Sequence, residues 1–215
     1  MSEIIEVGRD TLIEVFDLQA KKLLDSSYER QAKDGSQDFL RRLSFLAKFV
    51  RTNEEILHLN FHENYIPCLI VIPSAIIAWY EQLSDVFIGQ VGHLSLAGVC
   101  DKEAGAFYKP PPSAPEDIYL IFDVEPGVEY REDINNVRNR FNVADRRGLT
   151  VEEAIALLSY DPEMLTRTNL YLLGCAPGPG SRVMAMRADK GTVLGYANGV
   201  KSVTFGIPST PKLNF

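Results

Sequence analysis

Residues 118–173 constrain the fold most, because an apolar strand, a turn, a capped helix and a second strand follow one another there. Ile118, Tyr119, Leu120, Ile121 and Phe122 form an unbroken apolar run rich in β-branched and aromatic residues. Such a run reads as a buried strand, and Glu125-Pro126-Gly127 is expected to end it as a turn. Thr150 then stands three residues ahead of Glu153, at the head of the helix-period positions Ala154, Ile155, Leu157 and Leu158. That is a capping box: the threonine hydroxyl accepts from the Glu153 amide while the Glu153 carboxylate reaches back to the Thr150 amide. Asp161-Pro162-Glu163 offers a second N-cap with proline at the first helical position, so a short helix should follow. Strand and helix alternating this closely favour an α+β or mixed-sheet domain. None of these signals performs chemistry.

Upstream, Leu12, Ile13, Phe16, Ala20, Leu23 and Leu24 recur at helical spacing behind Thr11 and Glu14, a second capping-box pattern. A break at residues 31–36 with Gly35 and a capping Ser36 precedes a second periodic run, Phe39, Leu40, Leu43, Leu46, Ala47 and Val50. The two are expected to form an N-terminal helical hairpin over 1–52, packed on an α+β domain over 53–215. Arg41, Arg42, Lys48 and Arg51 make the second helix basic, a solvated face or a docking surface for an acidic partner.

Leu57, Leu59 and Phe61 alternate with His58, Asn60 and His62, the pattern of a half-buried strand. On a strand the two histidines lie about 13 Å apart and cannot share an ion, so no metal site is expected. Residues 66–80 carry no charge but are too short and too proline-broken for a membrane span. A strand over 68–72 and a core helix from Ser74 through Trp79, capped by Ser74, account for them. The glycines and the run of prolines in 84–117 read as strand fragments and an irregular, partly polyproline arm. Ile134, Val137 and Phe141 mark a helix capped by Asp133. The short apolar runs 170–173, 183–186, 192–196 and 203–206, separated by glycine-bearing turns, read as an antiparallel meander. The expected class is α+β, with a mixed, partly antiparallel sheet and packed helices.

Twenty-two lysines and arginines against 29 acids give a net charge of −7, which argues against broad nucleic-acid binding. Three widely spaced cysteines without a C-x-x-C pair point to a reducing compartment, and the acidic N-terminus carries no targeting pattern, so a cytoplasmic protein is expected. No cofactor motif is present. The loop 174–182 holds glycines and prolines but ends in Ser181-Arg182, where a phosphate loop needs lysine and a following helix. It reads as a wide turn, or as a ligand loop in which Arg182, with Arg147 as second choice, faces an anion. Asp123 and Glu125 share one face of the strand near its expected carboxyl end, where sites in α/β sheets gather. These four residues are the candidate ligand contacts.

The succession 119–124 with Gly127, then Leu149-Thr150-x-x-Glu153-Ala154, Pro162-Glu163-x-Leu165, Ser181-Arg182 and Leu194-Gly195, resembles a bacterial family of uncharacterised proteins, a domain of unknown function found largely in actinobacteria. The resemblance covers roughly 66–206. The chain departs from that pattern at Tyr196-Ala197-Asn198, where the family has tryptophans, and at residues 199–202, where it has a Gly-Asn-Pro-His-like run. Membership implies a shared fold and no activity. Two functions therefore stand: a cytoplasmic non-catalytic binding or interaction protein, with a protein partner or a second copy of itself, or a small enzyme or anionic-metabolite binder. The second would use the Asp123/Glu125 strand and the 174–182 loop.

Overall fold

The computed structural model describes residues 3–88, 92–93, 108, 110–130, 133–175, 183–186, 194–197 and 205–212. Their elements are β1 (Ile4–Ile5), α1 (Arg9–Asp25), α2 (Tyr28–Gln31), α3 (Ser36–Thr52), β2 (Phe61–His62), β3 (Ile66–Val71), α4 (Trp79–Asp85), β4 (Phe87–Ile88), β5 (Gly92–His93) and β6 (Tyr119–Tyr130). They continue with α5 (Ile134–Val143), β7 (Arg146–Gly148), α6 (Val151–Tyr160), α7 (Met164–Arg167), β8 (Leu170–Tyr171), β9 (Val183–Met186), β10 (Leu194–Ala197) and β11 (Phe205–Pro211). The fold is α+β. One mixed sheet runs β10-β9-β8-β11-β6-β3, with β7 also paired to β11, and two further pairs, β1-β2 and β4-β5, stand apart.

The β3-β6 pair is the centre of the molecule because both of its faces are covered. Cys68, Ile70, Leu120 and Phe122 pack against Leu12, Phe16, Phe39 and Leu43 of α1 and α3. Leu69, Val71, Ile121 and Val124 join Val151, Ala154, Ile155 and Leu158 of α6 in the opposite layer. Alternation along 68–71 and 120–122 therefore feeds two cores, as a period of two requires, and Val124 joins the layer of Ile121 only after the left-handed Asp123 interrupts that period. A third cluster seats Ile134, Val137 and Phe141 of α5 on Tyr171, Val183 and Ala185 of β8 and β9.

Two helix starts behave as read. Asp133 caps α5 by accepting from the Asn135 amide, and Thr150 and Glu153 form the complete capping box on α6. Elsewhere tertiary structure overrode the local signal. Strand β6 does not stop at residues 125–127: Glu125 pairs with Ser209 and Val128 with Ile207, so Pro126 and Gly127 together face Pro208 as a β-bulge. Gly127 has φ 110, a conformation that favours glycine, and Pro208 avoids the ladder's donor requirement. Helix α1 starts at Arg9 after Gly8, and α3 after Gly35, without the predicted Thr11 and Ser36 caps. The helix expected from Ser74 begins at Trp79, because residues 74–77 turn on the Pro73 carbonyl instead. Residues 55–58 are a 3-10 turn, leaving only Phe61 and His62 in strand. Asp161 pairs with Arg167 and does not cap α7. Strand β11 leaves the meander: it inserts between β8, to which it is parallel, and β6, to which it is antiparallel. The basic face of α3 is engaged in ion pairs, Arg41 with Asp38, Arg42 with Asp34 and Asp117, and Arg51 with Asp17.

Candidate ligand-binding site

Arg146 and Arg147 are neighbours on β7, and successive strand residues project to opposite faces, so the two guanidiniums serve different clusters. Arg146 turns inward. Its Nη1 donates to Asp123 Oδ2 at 2.6 Å, its Nη2 to the Asp123 and Ser209 carbonyls at 2.7 and 3.0 Å, and its Nε to Ser209 Oγ at 2.9 Å. Ser209 Oγ donates in turn to Glu125 at 2.6 Å. Asp123 Oδ1 accepts the His62 backbone amide at 2.7 Å, and its Oδ2 lies 2.8 Å from His62 Nδ1. The guanidinium also sits 5.0 Å over the Tyr65 ring. Asp123 adopts φ 47, in the left-handed region that aspartate tolerates better than most residues. The structure thus brings Asp123 and Glu125 together, at 1% and 4% exposure, and surrounds them with hydrogen-bond donors. They tie β2, β6, β7 and β11 to one another from the interior of a strand that continues to Tyr130.

Arg147 faces the head of α6. Its Nη1 and Nη2 clasp Glu153 at 2.7 and 2.6 Å, the Tyr119 hydroxyl donates to the same carboxylate at 3.2 Å, and the Thr150 amide donates at 2.8 Å. The preceding residue on the helix, Glu152, is also buried and, among the described residues, accepts from the hydroxyls of Ser74 and Tyr108. Among the described residues no lysine or arginine pairs with it. Both carboxylates lie in the first turn of α6, where the helix dipole favours negative charge. Burial, then the neighbouring glutamates, push the Tyr108 and Tyr119 phenols and the Cys175 thiol well above their ordinary range.

A proline-rich strap, residues 110–115, arches over this helix head. It lines a cleft of about 550 Å³ that is also walled by Tyr119, Ile121, Arg147, Glu153 and Lys212. Gly174 borders the same cleft. It has to be glycine, since a Cβ there would stand 2.4 Å from the Gly148 carbonyl oxygen. The strap also lines a smaller cavity of about 260 Å³ reaching Ser74, Glu116, Tyr119 and Glu152. Lys212 is held by Asn142 Oδ1 at 3.0 Å and, through its amide, by the Asp145 carbonyl.

Of the four residues singled out by sequence, Asp123 and Glu125 share the inner network, Arg147 lines the cleft, and Arg182 lies outside the described residues. Tyr108, Tyr119, Glu152 and Lys212 carried no sequence signal for a site, because each acquires its place only through contacts distant along the chain. Among the described residues no group of three or more histidine, cysteine or acidic side chains is arranged to hold a metal ion, and no helix is long and apolar enough to cross a membrane. No family model, no curated protein and no solved structure matches the chain.

Proposed function

We propose that the protein is a cytoplasmic binding protein without catalysis of its own, and that it holds a small acidic ligand in the cleft beneath the strap. The observation that carries this reading is the charge balance of the cleft wall: Arg147 and Lys212 bring two cations, and Glu153 brings one carboxylate. Arg147 uses three of its five N–H donors on Glu153 and the Gly148 carbonyl, which leaves two for a ligand carboxylate or phosphate. The proline, tyrosine and isoleucine walls supply the apolar contact that small-molecule sites combine with a few fixed polar groups. Against an enzymatic role, Asp123 and Glu153 are engaged by several donors of the fold and Glu125 accepts from Ser209, so these carboxylates serve to hold the strands and the helix head in place. Docking of an acidic partner on α3 is disfavoured by the ion pairs that already engage its arginines. Native mass spectrometry of the purified protein and a thermal-shift screen of carboxylates and phosphates test the reading. An acidic compound should raise the melting temperature of the wild type, and Lys212→Glu should abolish that rise. A screen without a hit, or hits undiminished in Lys212→Glu, would sink it.

A further inference from the structure

The two cavities under the strap are of opposite character and share one wall. Tyr119 borders both, as do Pro111, Ala114 and Pro115 of the strap. The larger half carries Arg147 and Lys212. The smaller half carries Glu152, 4% exposed and without a cationic partner among the described residues, together with the exposed Glu116 at its rim. Burying a carboxylate without a counter-charge is costly even with two hydroxyl donors and a helix N-terminus beside it. A cation seated against Glu152 would remove that cost. Consecutive helix positions diverge by about 100°, so Glu152 and Glu153 face different halves, and a ligand touching both halves must carry its charges at separated ends.

We infer that the ligand of this site is a zwitterion of dipeptide size, with its carboxylate toward Arg147 and Lys212 and its ammonium toward Glu152. This rests on the reading that the cleft takes a small acidic ligand, and adds the second pole. Two extended residues span roughly 7 Å, so a dipeptide carries its two charges at separated ends. The proline and tyrosine walls favour apolar side chains between the two ends.

Free dipeptides with apolar side chains are screened by thermal shift, and the best stabiliser is compared by calorimetry with its N-acetyl and its C-terminal amide derivatives. The free dipeptide should bind at least about tenfold more tightly than either derivative, since each lacks one charge-assisted contact. In Glu152→Gln, the preference for the free over the N-acetyl dipeptide should vanish while the preference over the amide remains. That ratio is insensitive to a general loss of stability. If the N-acetyl derivative binds wild type as well as the free dipeptide does, the ammonium site is wrong and the acidic-ligand reading stands. The inference also falls alone if no dipeptide binds but other carboxylates do. If neither class binds, both readings fall together.

Discussion

Replacing Arg146 by methionine tests the inner network most directly. The substitution keeps an unbranched side chain of similar length but deletes four hydrogen bonds, two of them to Asp123 and two to Ser209. It leaves the Asp123 carboxylate, at 1% exposure, with His62 as its remaining partner among the described residues. Removing one member of a buried ion pair costs about 3–5 kcal/mol, most of it the penalty of the charge left behind. Against a total stability of about 5–15 kcal/mol this is a large share. For a chain of this size each kcal/mol shifts the melting temperature by about 2–4 °C, so the drop should be about 6–20 °C. Urea unfolding followed by circular dichroism, checked for reversibility, gives the free energy by linear extrapolation. Adding Asp123→Asn supplies the control, because asparagine tolerates the left-handed backbone and carries no charge. The double variant should be less destabilised than the sum of the two single ones. A loss below about 1 kcal/mol for Arg146→Met, or strict additivity in the double variant, would refute the claim that this pair secures β6 against β7 and β11.

The remaining predictions concern the helix head and the buried titratable groups. Thr150→Ala should lower stability by about 1 kcal/mol by removing the capping hydroxyl from α6, and an unchanged urea midpoint would show that the capping box contributes nothing. Stability should fall as pH rises above about 9. Burial raises the Cys68 thiol to about 12 and pushes the Cys175 thiol and the phenols of Tyr28, Tyr108 and Tyr119 upward as well. The unfolded chain therefore loses these protons first, so the native state binds more protons and the stabilisation present below the unfolded pKa values drains away with increasing pH. Each thiol contributes about 1.4 kcal/mol per pH unit once its unfolded counterpart is ionised. A flat stability profile between pH 8 and 11, measured by urea unfolding, would contradict this.

What the sequence determined by itself was local. The capping box at Thr150 and the cap at Asp133 involve residues two or three positions apart, and the alternation along 68–72 and 118–122 declares two buried faces without reference to what covers them. Such signals are legible because the interacting groups are fixed by short-range backbone geometry. Competing local options are where reading failed. Pro126 and Gly127 suit a turn or a bulge equally, and only the arrival of β11 from eighty residues away, with Pro208 opposite them, selects the bulge. Ser74 is as good a cap as Thr150 by composition, but its hydroxyl is taken by Glu152, across 78 residues.

The site was less legible than the fold. Asp123 and Glu125 stand out in sequence as a carboxylate pair on one face of a strand, as they are, but sequence cannot show that Arg146 and Ser209 fill that face and convert it into structural glue. Arg147 was recognisable only as a cation near a capping box. Its place on a cleft wall with Lys212, and the seating of Glu152 against the hydroxyls of Ser74 and Tyr108, depend on segments that meet only in the tertiary fold. Each charge has several partners available at comparable sequence distance, and the energies that choose among them come from burial and mutual desolvation. Those quantities have no value until the chain is folded, so tertiary structure alone decided which charges cancel within the fold and which face a cavity.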